Sequence, residues 1–147
     1  MPSPRSTAAS CGVDVSFIHH VRPRYAEVDA QGVVFNAHWL TYFDEACTRF
    51  FEDMGFPPAE AFFRDFDLMV VKAMVEWQGP AGFDEHVDIA VEPSRLGNSS
   101  LDLRYTATVA DRAVCVGTIT YVSVKPGTHD STPIPRALRE KLEAAAS

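Results

Sequence analysis

Residues 36–54 read NAHWLTYFDEACTRFFEDM, and this stretch decides the fold. Its apolar side chains recur at helical spacing, while the positions between them are mostly charged or polar. The apolar positions are Trp39, Leu40, Phe43, Ala46, Cys47, Phe50, Phe51 and Met54. Gly55 and the pair Pro57–Pro58 then end the pattern. We therefore predict an amphipathic helix of about five turns that begins at Asn36.

The chain on both sides of this helix has strand character. Alternating apolar residues predict a first strand from Val13 to Val21. Four more strands are predicted at Leu68–Trp77, His86–Glu92, Leu101–Val109 and Val114–Val124. Their short linkers favour antiparallel pairing. Residues 59–67 are predicted as either a short helix or a lid-like loop, and ALREKLEAA after Pro135 as a final short helix.

This order of elements predicts an α+β fold, in which one long helix covers one face of a five-stranded antiparallel sheet. We expect residues 13–147 to form a single domain, preceded by a disordered N-terminus of residues 1–12 that is rich in Ser, Pro and Ala. A half-covered sheet with an edge strand would leave apolar surface exposed. Self-association with a second copy is therefore expected.

The composition excludes several classes of function. A net charge of -7 over 147 residues has the wrong sign for binding nucleic acid. No secretory signal or membrane-spanning run is visible, so we expect a cytoplasmic protein without membrane attachment. The three cysteines have no C-x-x-C spacing. We predict neither a disulfide framework nor a metal site.

The residues just before the long helix suggest chemistry. Asp29 precedes the turn residues Ala30-Gln31-Gly32, and a short apolar run then leads to Asn36. The structural interpretation is a turn aspartate followed by an Asn cap. The functional interpretation is a catalytic carboxylate that faces the unpaired N–H groups at the start of a helix.

Short motifs along the chain support the functional interpretation by resemblance. Tyr25, Asp29, Gly32 and Val34, followed by Tyr42-Phe43-Asp44-Glu45-Ala46, resemble the Y-x-x-x-D-x-x-G-x-V and Y-F-(D/E)-x-A motifs of hot-dog fold acyl-CoA thioesterases of the 4-hydroxybenzoyl-CoA thioesterase type. Pro80-Ala81 with Phe83-Asp84-Glu85, the turn Arg95–Ser100, and Pro133-Ile134-Pro135 also match that family's pattern. The likeness spans roughly residues 14 to 142.

The resemblance implies a thioester hydrolase without a cofactor, in which CoA is part of the substrate. Asp29 would attack the carbonyl or activate water, and the backbone N–H of Asn36 would stabilise the oxyanion. Gly32 would let the backbone approach the substrate. Two positions depart from the family, because Asn36 and Cys47 stand where many members carry His and Arg. A helix carboxylate, Asp44 or Glu45, acting from a facing subunit is the alternative.

The phosphates of CoA require local cations on an acidic protein. The residues predicted to bind the substrate are Tyr25, His38, Arg95, Asn98, Ser99, Ser100 and Lys125, with Arg136 and Arg139 as further candidate cations. The resemblance implies that the Arg95 turn holds the pantetheine or the diphosphate. Phe50, Phe51, Phe62, Phe63 and Phe66 could line an acyl pocket or belong to the core. The expected assembly is a homodimer or homotetramer.

Two other functions are compatible with the sequence. A hot-dog hydratase or dehydratase would act on an enoyl-CoA, but its pattern needs a spacing of Asp and His that this chain lacks. A non-catalytic module would bind an acyl-CoA or an acyl-carrier protein without turnover.

Overall fold

The computed structural model describes residues 17–61 and 64–146. The elements follow the predicted order: β1 (Ile18–Val21), α1 (His38–Asp53), α2 (Pro58–Ala61), β2 (Asp67–Trp77), β3 (Val87–Leu96), β4 (Ser100–Val109), β5 (Arg112–Val124) and α3 (Arg136–Ala146). A short 3-10 helix, Tyr25–Glu27, follows β1. The predicted disordered residues 1–12 lie outside the described residues, as does the part of the predicted first strand before residue 17.

The five strands form one antiparallel sheet in the order β1-β3-β4-β5-β2. The long helix α1 packs on one face of this sheet. The ring of Phe43 stacks on that of Tyr105, with 4.9 Å between ring centres. Gly117 lies against the same Phe43 ring, and a Cβ there would come within 2.7 Å of Phe43 Cε2. The predicted α+β fold with a central helix and a five-stranded antiparallel sheet is confirmed.

The core is formed by the alternate side chains that the strands turn towards α1. On β4 the predicted inward positions are all buried: Leu101, Leu103, Tyr105, Ala107 and Val109. On α3, Leu138 and Leu142 are fully buried, and this helix packs against β3. Each such large apolar side chain contributes about 1.5–3 kcal/mol when it is removed from water.

Helix α1 begins two residues later than predicted. Its first helical residue is His38 and its N-cap is Ala37, which makes no side-chain cap hydrogen bond. The prediction of Asn36 as the N-cap was therefore wrong. The reason is a tight entry turn, in which the amides of His38 and Trp39 donate to the carbonyls of Phe35 and Asn36 at 2.9 and 3.4 Å.

Strand β3 is longer than predicted and contains Pro93. The prediction ended this strand at Glu92 and assigned the residues from Pro93 to Ser100 to a turn. The amide of Val91 donates to the carbonyl of Phe17 at 3.1 Å, and the described pairs of β1 with β3 end at Ala90. Pro93 lies two residues beyond Val91, so its missing N–H is on the same side of β3, beyond the last described pair.

Strand β2 lies at the edge of the sheet next to β5. Its apolar side chains Val70, Val71, Met74 and Trp77 are 56–60% exposed. An edge strand with exposed apolar residues is a typical site of association. No helix in the described part of the chain has the length and apolar character that crossing a bilayer requires.

Candidate active site

Asp29 lies at the turn of a small hairpin that leads into α1. Val28 and Val34 form the bridge of the hairpin, and the amide of Asp29 donates to the carbonyl of Val33 at 2.9 Å. The amide of Gly32 donates to the carbonyl of Asp29, also at 2.9 Å. The local sequence favours this turn, because Gly32 has a φ of +77°, which side chains with a Cβ rarely adopt.

The carboxylate of Asp29 takes part in this turn with one oxygen only. Its Oδ1 accepts a hydrogen bond from the amide of Gln31 at 2.8 Å. Among the described residues, Oδ2 accepts no hydrogen bond. The structural interpretation of Asp29 is thus correct, and it leaves one carboxylate oxygen available for chemistry.

The hairpin, the start of α1 and the segment after β2 enclose an open cleft of about 540 Å³. Asp29 and Asn36 line the hairpin and helix side of this cleft, and residues 77–81 line the other side. The cleft therefore brings together two of the three residues predicted to be catalytic.

Gly32 is the third of these residues, and it does not border the cleft. A Cβ added there would meet no atom within 4 Å. The structure therefore requires glycine at this position for its backbone conformation, and close approach of a substrate to Gly32 stays a prediction.

The start of α1 presents unpaired N–H groups. Within the described residues, the amides of Asn36 and Ala37 donate no hydrogen bond. The carbonyl of Asn36 is bound by Trp77, whose Nε1 donates to it at 3.3 Å. Trp77 therefore anchors the helix start to the end of β2. Free N–H groups at a helix N-terminus can bind an anion or an oxyanion.

Glu27 and Tyr42 are two site residues that the sequence did not reveal. The Tyr42 hydroxyl donates to Glu27 Oε1 at 2.8 Å. Burial would raise the pKa of Glu27, but hydrogen bonds from Arg24 and Tyr42 outweigh it, so the pKa is lowered. Burial and the bond to Glu27 raise the pKa of Tyr42, which therefore remains a protonated donor. The motif around Tyr25 contains Glu27, but its partner lies 15 residues away.

Tyr25 and His38 are not among the residues that line the cleft. Tyr25 is 80% exposed and packs edge-to-face on Phe83, with 6.0 Å between ring centres. His38 is half-buried and packs edge-to-face on Phe35 at 5.9 Å. Their predicted contacts with the substrate stay predictions.

The predicted CoA-binding turn is at the other end of the sheet. Trp77 pairs with Cys115 on β5, whereas Ser100 pairs with Val122, seven residues further along the same strand. Seven residues of strand span about 23 Å. One chain therefore does not bring Asp29 together with Arg95, Asn98, Ser99, Ser100 and Lys125.

The residues of that turn do lie together, and several are bound internally. The guanidinium of Arg95 donates to both carboxylate oxygens of Asp102 at 3.1 Å and to Ser100 Oγ at 3.0 Å. The amide of Ser123 donates to the carbonyl of Ser99 at 2.7 Å, which brings the exposed Lys125 near the turn. Asn98 is exposed.

Arg139 is also bound within the chain. It donates to the backbone carbonyls of Gly97 and Asn98, at 3.2 Å for Asn98. Arg139 thus holds the turn, and its contact with CoA stays a prediction, as does that of the exposed Arg136.

Another groove lies between α1 and β2. It has a volume of about 350 Å³ and is lined by Leu40, Thr41, Asp44, Val70, Ala73, Ile119 and Tyr121. Asp44, predicted on the polar side of the helix, borders this groove, whereas Glu45 pairs with Arg49 at 3.2 Å.

The predicted pocket phenylalanines belong largely to the core. Phe50, Phe51 and Phe66 are buried, and the last two border a small cavity of about 50 Å³ next to Cys47. Phe62 and Phe63 lie outside the described residues.

The two cysteines in the described part of the chain are unsuited to nucleophilic catalysis. Burial raises the pKa of Cys47 to about 11 and that of Cys115 to about 12, so neither thiol forms a thiolate at neutral pH. In the residues that the structure describes, no group of three His, Cys, Asp or Glu side chains could hold a metal ion.

Known proteins share this architecture and are similar to the chain in sequence. A sequence model of the Thioesterase-like superfamily matches residues 23–142. A 1,4-dihydroxy-2-naphthoyl-CoA hydrolase of Synechococcus elongatus is 24% identical over 126 residues, which cover 84% of this chain and 92% of that protein. A solved gentisyl-coenzyme A thioesterase is 26% identical with a TM-score of 0.78, over 86% of this chain and 99% of the other.

A thioesterase of Thermus thermophilus, solved as a complex with coenzyme A and Zn, is 26% identical with a TM-score of 0.77. The similarity covers 88% of this chain and 92% of the other. The family match includes the hairpin, the cleft and every strand except β1. The chain therefore belongs to the Thioesterase-like superfamily, the family of the hot-dog fold acyl-CoA thioesterases.

Proposed function

We propose that this protein hydrolyses the thioester of an acyl-CoA to a free acid and CoA. The observation that supports this function is the cleft that Asp29 shares with the start of α1. It combines a carboxylate with one free oxygen and amides that donate to no described residue. These are the two groups that thioester hydrolysis needs.

The chemistry can follow two routes from this arrangement. Asp29 either attacks the carbonyl carbon, forming an anhydride that water then opens, or takes a proton from a water molecule that attacks the same carbon. In both routes the carbonyl oxygen becomes an oxyanion, which accepts a hydrogen bond from the backbone N–H of Asn36. The C–S bond then breaks, and CoA leaves as a thiolate, because thiols have a pKa of about 8.5.

We further propose that the enzyme works as a homodimer or a larger assembly built from it. If two copies pair their β2 edges antiparallel, the Trp77 end of one strand meets the Asp67 end of the other. The turn of residues 95–100 in one copy would then approach the cleft of its partner. The separation of about 23 Å along the strands of one chain supports such a shared site.

For the acyl group we propose an aromatic ring that carries a hydroxyl. The groove between α1 and β2 starts one helical turn from Asn36 and combines apolar walls with the carboxylate of Asp44. Two of the relatives described above, the 1,4-dihydroxy-2-naphthoyl-CoA hydrolase and the gentisyl-coenzyme A thioesterase, have names that state a hydroxylated aromatic acyl group. A carboxylate at the wall of the groove could accept a hydrogen bond from such a hydroxyl.

The test is thiol release from a panel of aryl, short, medium and long acyl-CoAs. Wild-type protein should cleave at least one of them, and Asp29→Asn should lose at least about a hundredfold in kcat. Asparagine keeps the turn, since its Oδ1 can still accept from Gln31, so the variant should fold. Asp53→Asn, at the exposed end of α1, is the matched control and should keep full activity.

Three other outcomes would contradict the proposal. Undiminished cleavage by Asp29→Asn would exclude the catalytic acid. Tight binding of the esters without any turnover would indicate a binding module. Addition of water to an enoyl-CoA, with no thiol released, would indicate a hydratase.

A further inference from the structure

The two halves of the proposed site belong to different elements. The acid is on the hairpin of residues 27–35, and the oxyanion donors are at the start of α1. Rate depends steeply on their relative position, since a misplacement of about 1 Å can cost about a hundredfold. The contacts that join the hairpin to α1 therefore bear directly on catalysis.

Glu27 is the residue through which the hairpin is tied to the helix. Its carbonyl accepts from the amide of Phe35 at 3.0 Å, which closes the hairpin two residues before Asp29. Its Oε1 accepts from the amide of Arg24 and from the hydroxyl of Tyr42, both at 2.8 Å. Its Oε2 is bound by the guanidinium of Arg24 at 2.9 Å.

Tyr42 is a rigid partner for this bond. It lies on α1 just beyond the first turn, is 5% exposed, and packs edge-to-face on Trp39 at 5.5 Å between ring centres. A buried ring with fixed neighbours holds its hydroxyl in place. The bond from Tyr42 to Glu27 therefore transmits the position of α1 to the hairpin that carries Asp29.

We propose that Glu27 and Tyr42 are positioning residues that set the carboxylate of Asp29 against the amides at the start of α1. This inference rests on the proposed thioesterase function. It assigns Glu27 no contact with the substrate. What matters is the hydrogen bond at Oε1, because among the described residues Oε2 accepts hydrogen bonds only from Arg24, whose side chain is 80% exposed.

The test compares four variants in steady-state kinetics with the best acyl-CoA of the panel. Glu27→Ala and Tyr42→Phe each remove the bond and should lower kcat about tenfold or more, with KM changed less than about twofold. Glu27→Gln keeps an acceptor oxygen and should retain most of the activity. Arg24→Ala should do the same, since the backbone amide of Arg24 still donates.

A double-mutant comparison separates positioning from general damage. In an Asp29→Asn background, Glu27→Ala should lower the residual rate less than about twofold, because the effect acts through the missing carboxylate. Hydrogen exchange should rise at the amides of Asp29, Gly32 and Phe35 in Glu27→Ala and stay unchanged in the sheet. Tyr42→Phe keeps the buried ring and removes the same hydrogen bond, so it replaces Glu27→Ala in this comparison if that variant fails to fold.

The outcomes distinguish this inference from the function it rests on. Wild-type protein that cleaves no thioester would overturn both. An inactive Asp29→Asn together with fully active Glu27→Ala and Tyr42→Phe would overturn the positioning role alone. It would also be overturned if Glu27→Ala lowered the rate by the same factor in the wild-type and Asp29→Asn backgrounds. A Glu27→Gln variant as slow as Glu27→Ala would overturn it as well.

Discussion

Glu27 and Asp29 are carboxylates two residues apart that have very different surroundings. The side chain of Glu27 is only 14% exposed and accepts hydrogen bonds from Arg24 and Tyr42. Asp29 borders an open cleft and accepts a single bond from Gln31. The first carboxylate is held by the protein, while the second is left accessible to a reactant.

The lowered pKa of Glu27 predicts a pH-dependent contribution to stability. Because its pKa in the folded state lies below the ordinary value of 4.5, this contribution is complete above pH 4.5 and is lost as the pH falls through the folded pKa. The difference in melting temperature between wild type and Glu27→Gln should be largest near pH 7. It should shrink as the pH falls from 4.5 towards the folded pKa.

Thermal unfolding followed by circular dichroism, from neutral pH down into the acid range, measures this difference. A constant difference over the whole range would show that the charge of Glu27 does not contribute. Together with the kinetics, the experiment separates the two roles of the residue, since Glu27→Gln should lose stability at neutral pH but keep its activity.

At the scale of the elements, the β4–β5 hairpin is a connection with a strained backbone. Val109 pairs directly with Arg112, so Ala110 and Asp111 form a two-residue loop. Their φ angles are +48° and +68°, a pair of positive values typical of a type I′ turn. Alanine is poorly suited to this conformation, which costs a residue with a Cβ about 1–2 kcal/mol.

Replacing this loop by Ala110→Asn with Asp111→Gly should therefore stabilise the protein by about 1 kcal/mol. The expected rise in melting temperature is about 2–8 °C. Ala110→Val, which places a β-branched side chain at a positive φ, should lower the melting temperature. Differential scanning calorimetry of the three proteins checks this, and a fall for the Asn-Gly loop would contradict the assigned turn type.

At the scale of the whole molecule, the two ends of the sheet have different chemistry. The end near Trp77 has the acid and the helix start, whereas the end near Ser100 has the exposed Lys125 and a turn held by Arg139. The exposed apolar residues of β2 lie between these ends. A shared site between two copies would use both ends.

Subunit complementation tests the shared site. Asp29→Asn removes the acid, and Lys125→Glu should weaken CoA binding by reversing a charge. A heterodimer of these two chains would contain one site with both changes and one with neither. We expect it to recover about half of the wild-type activity per dimer, while each homodimer is impaired.

Differently tagged chains allow the heterodimer to be purified and assayed. The control pairs Asp29→Asn with a chain that carries both changes, which leaves no intact site and should recover nothing. No recovery in the first heterodimer, or a monomeric protein by light scattering, would mean that each chain works alone.

The sequence predicted the features that depend on neighbouring residues. The turn at Asp29 and Gly32 could be predicted because it is encoded by neighbouring residues, whereas the helix start was placed two residues too early. The order of strands and the amphipathic helix likewise follow from local periodicity.

Features that depend on distant partners could not be predicted. Tyr42 and Trp77 reach the site through contacts between separate elements. Arg95 and Arg139 were predicted as free cations because a sequence does not show the partners of a charged side chain. In the structure Arg95 binds Asp102, and Arg139 binds the carbonyls of residues 97 and 98.

The position of Trp77 gives the protein an optical signal of its own. The chain has two tryptophans: Trp39 is 2% exposed, whereas Trp77 is 57% exposed and borders the cleft. A molecule entering the cleft displaces water from the Trp77 indole and so shifts its fluorescence, while the emission of Trp39 stays constant. Occupancy of the cleft can thus be read spectroscopically, without a label and without waiting for a reaction to occur.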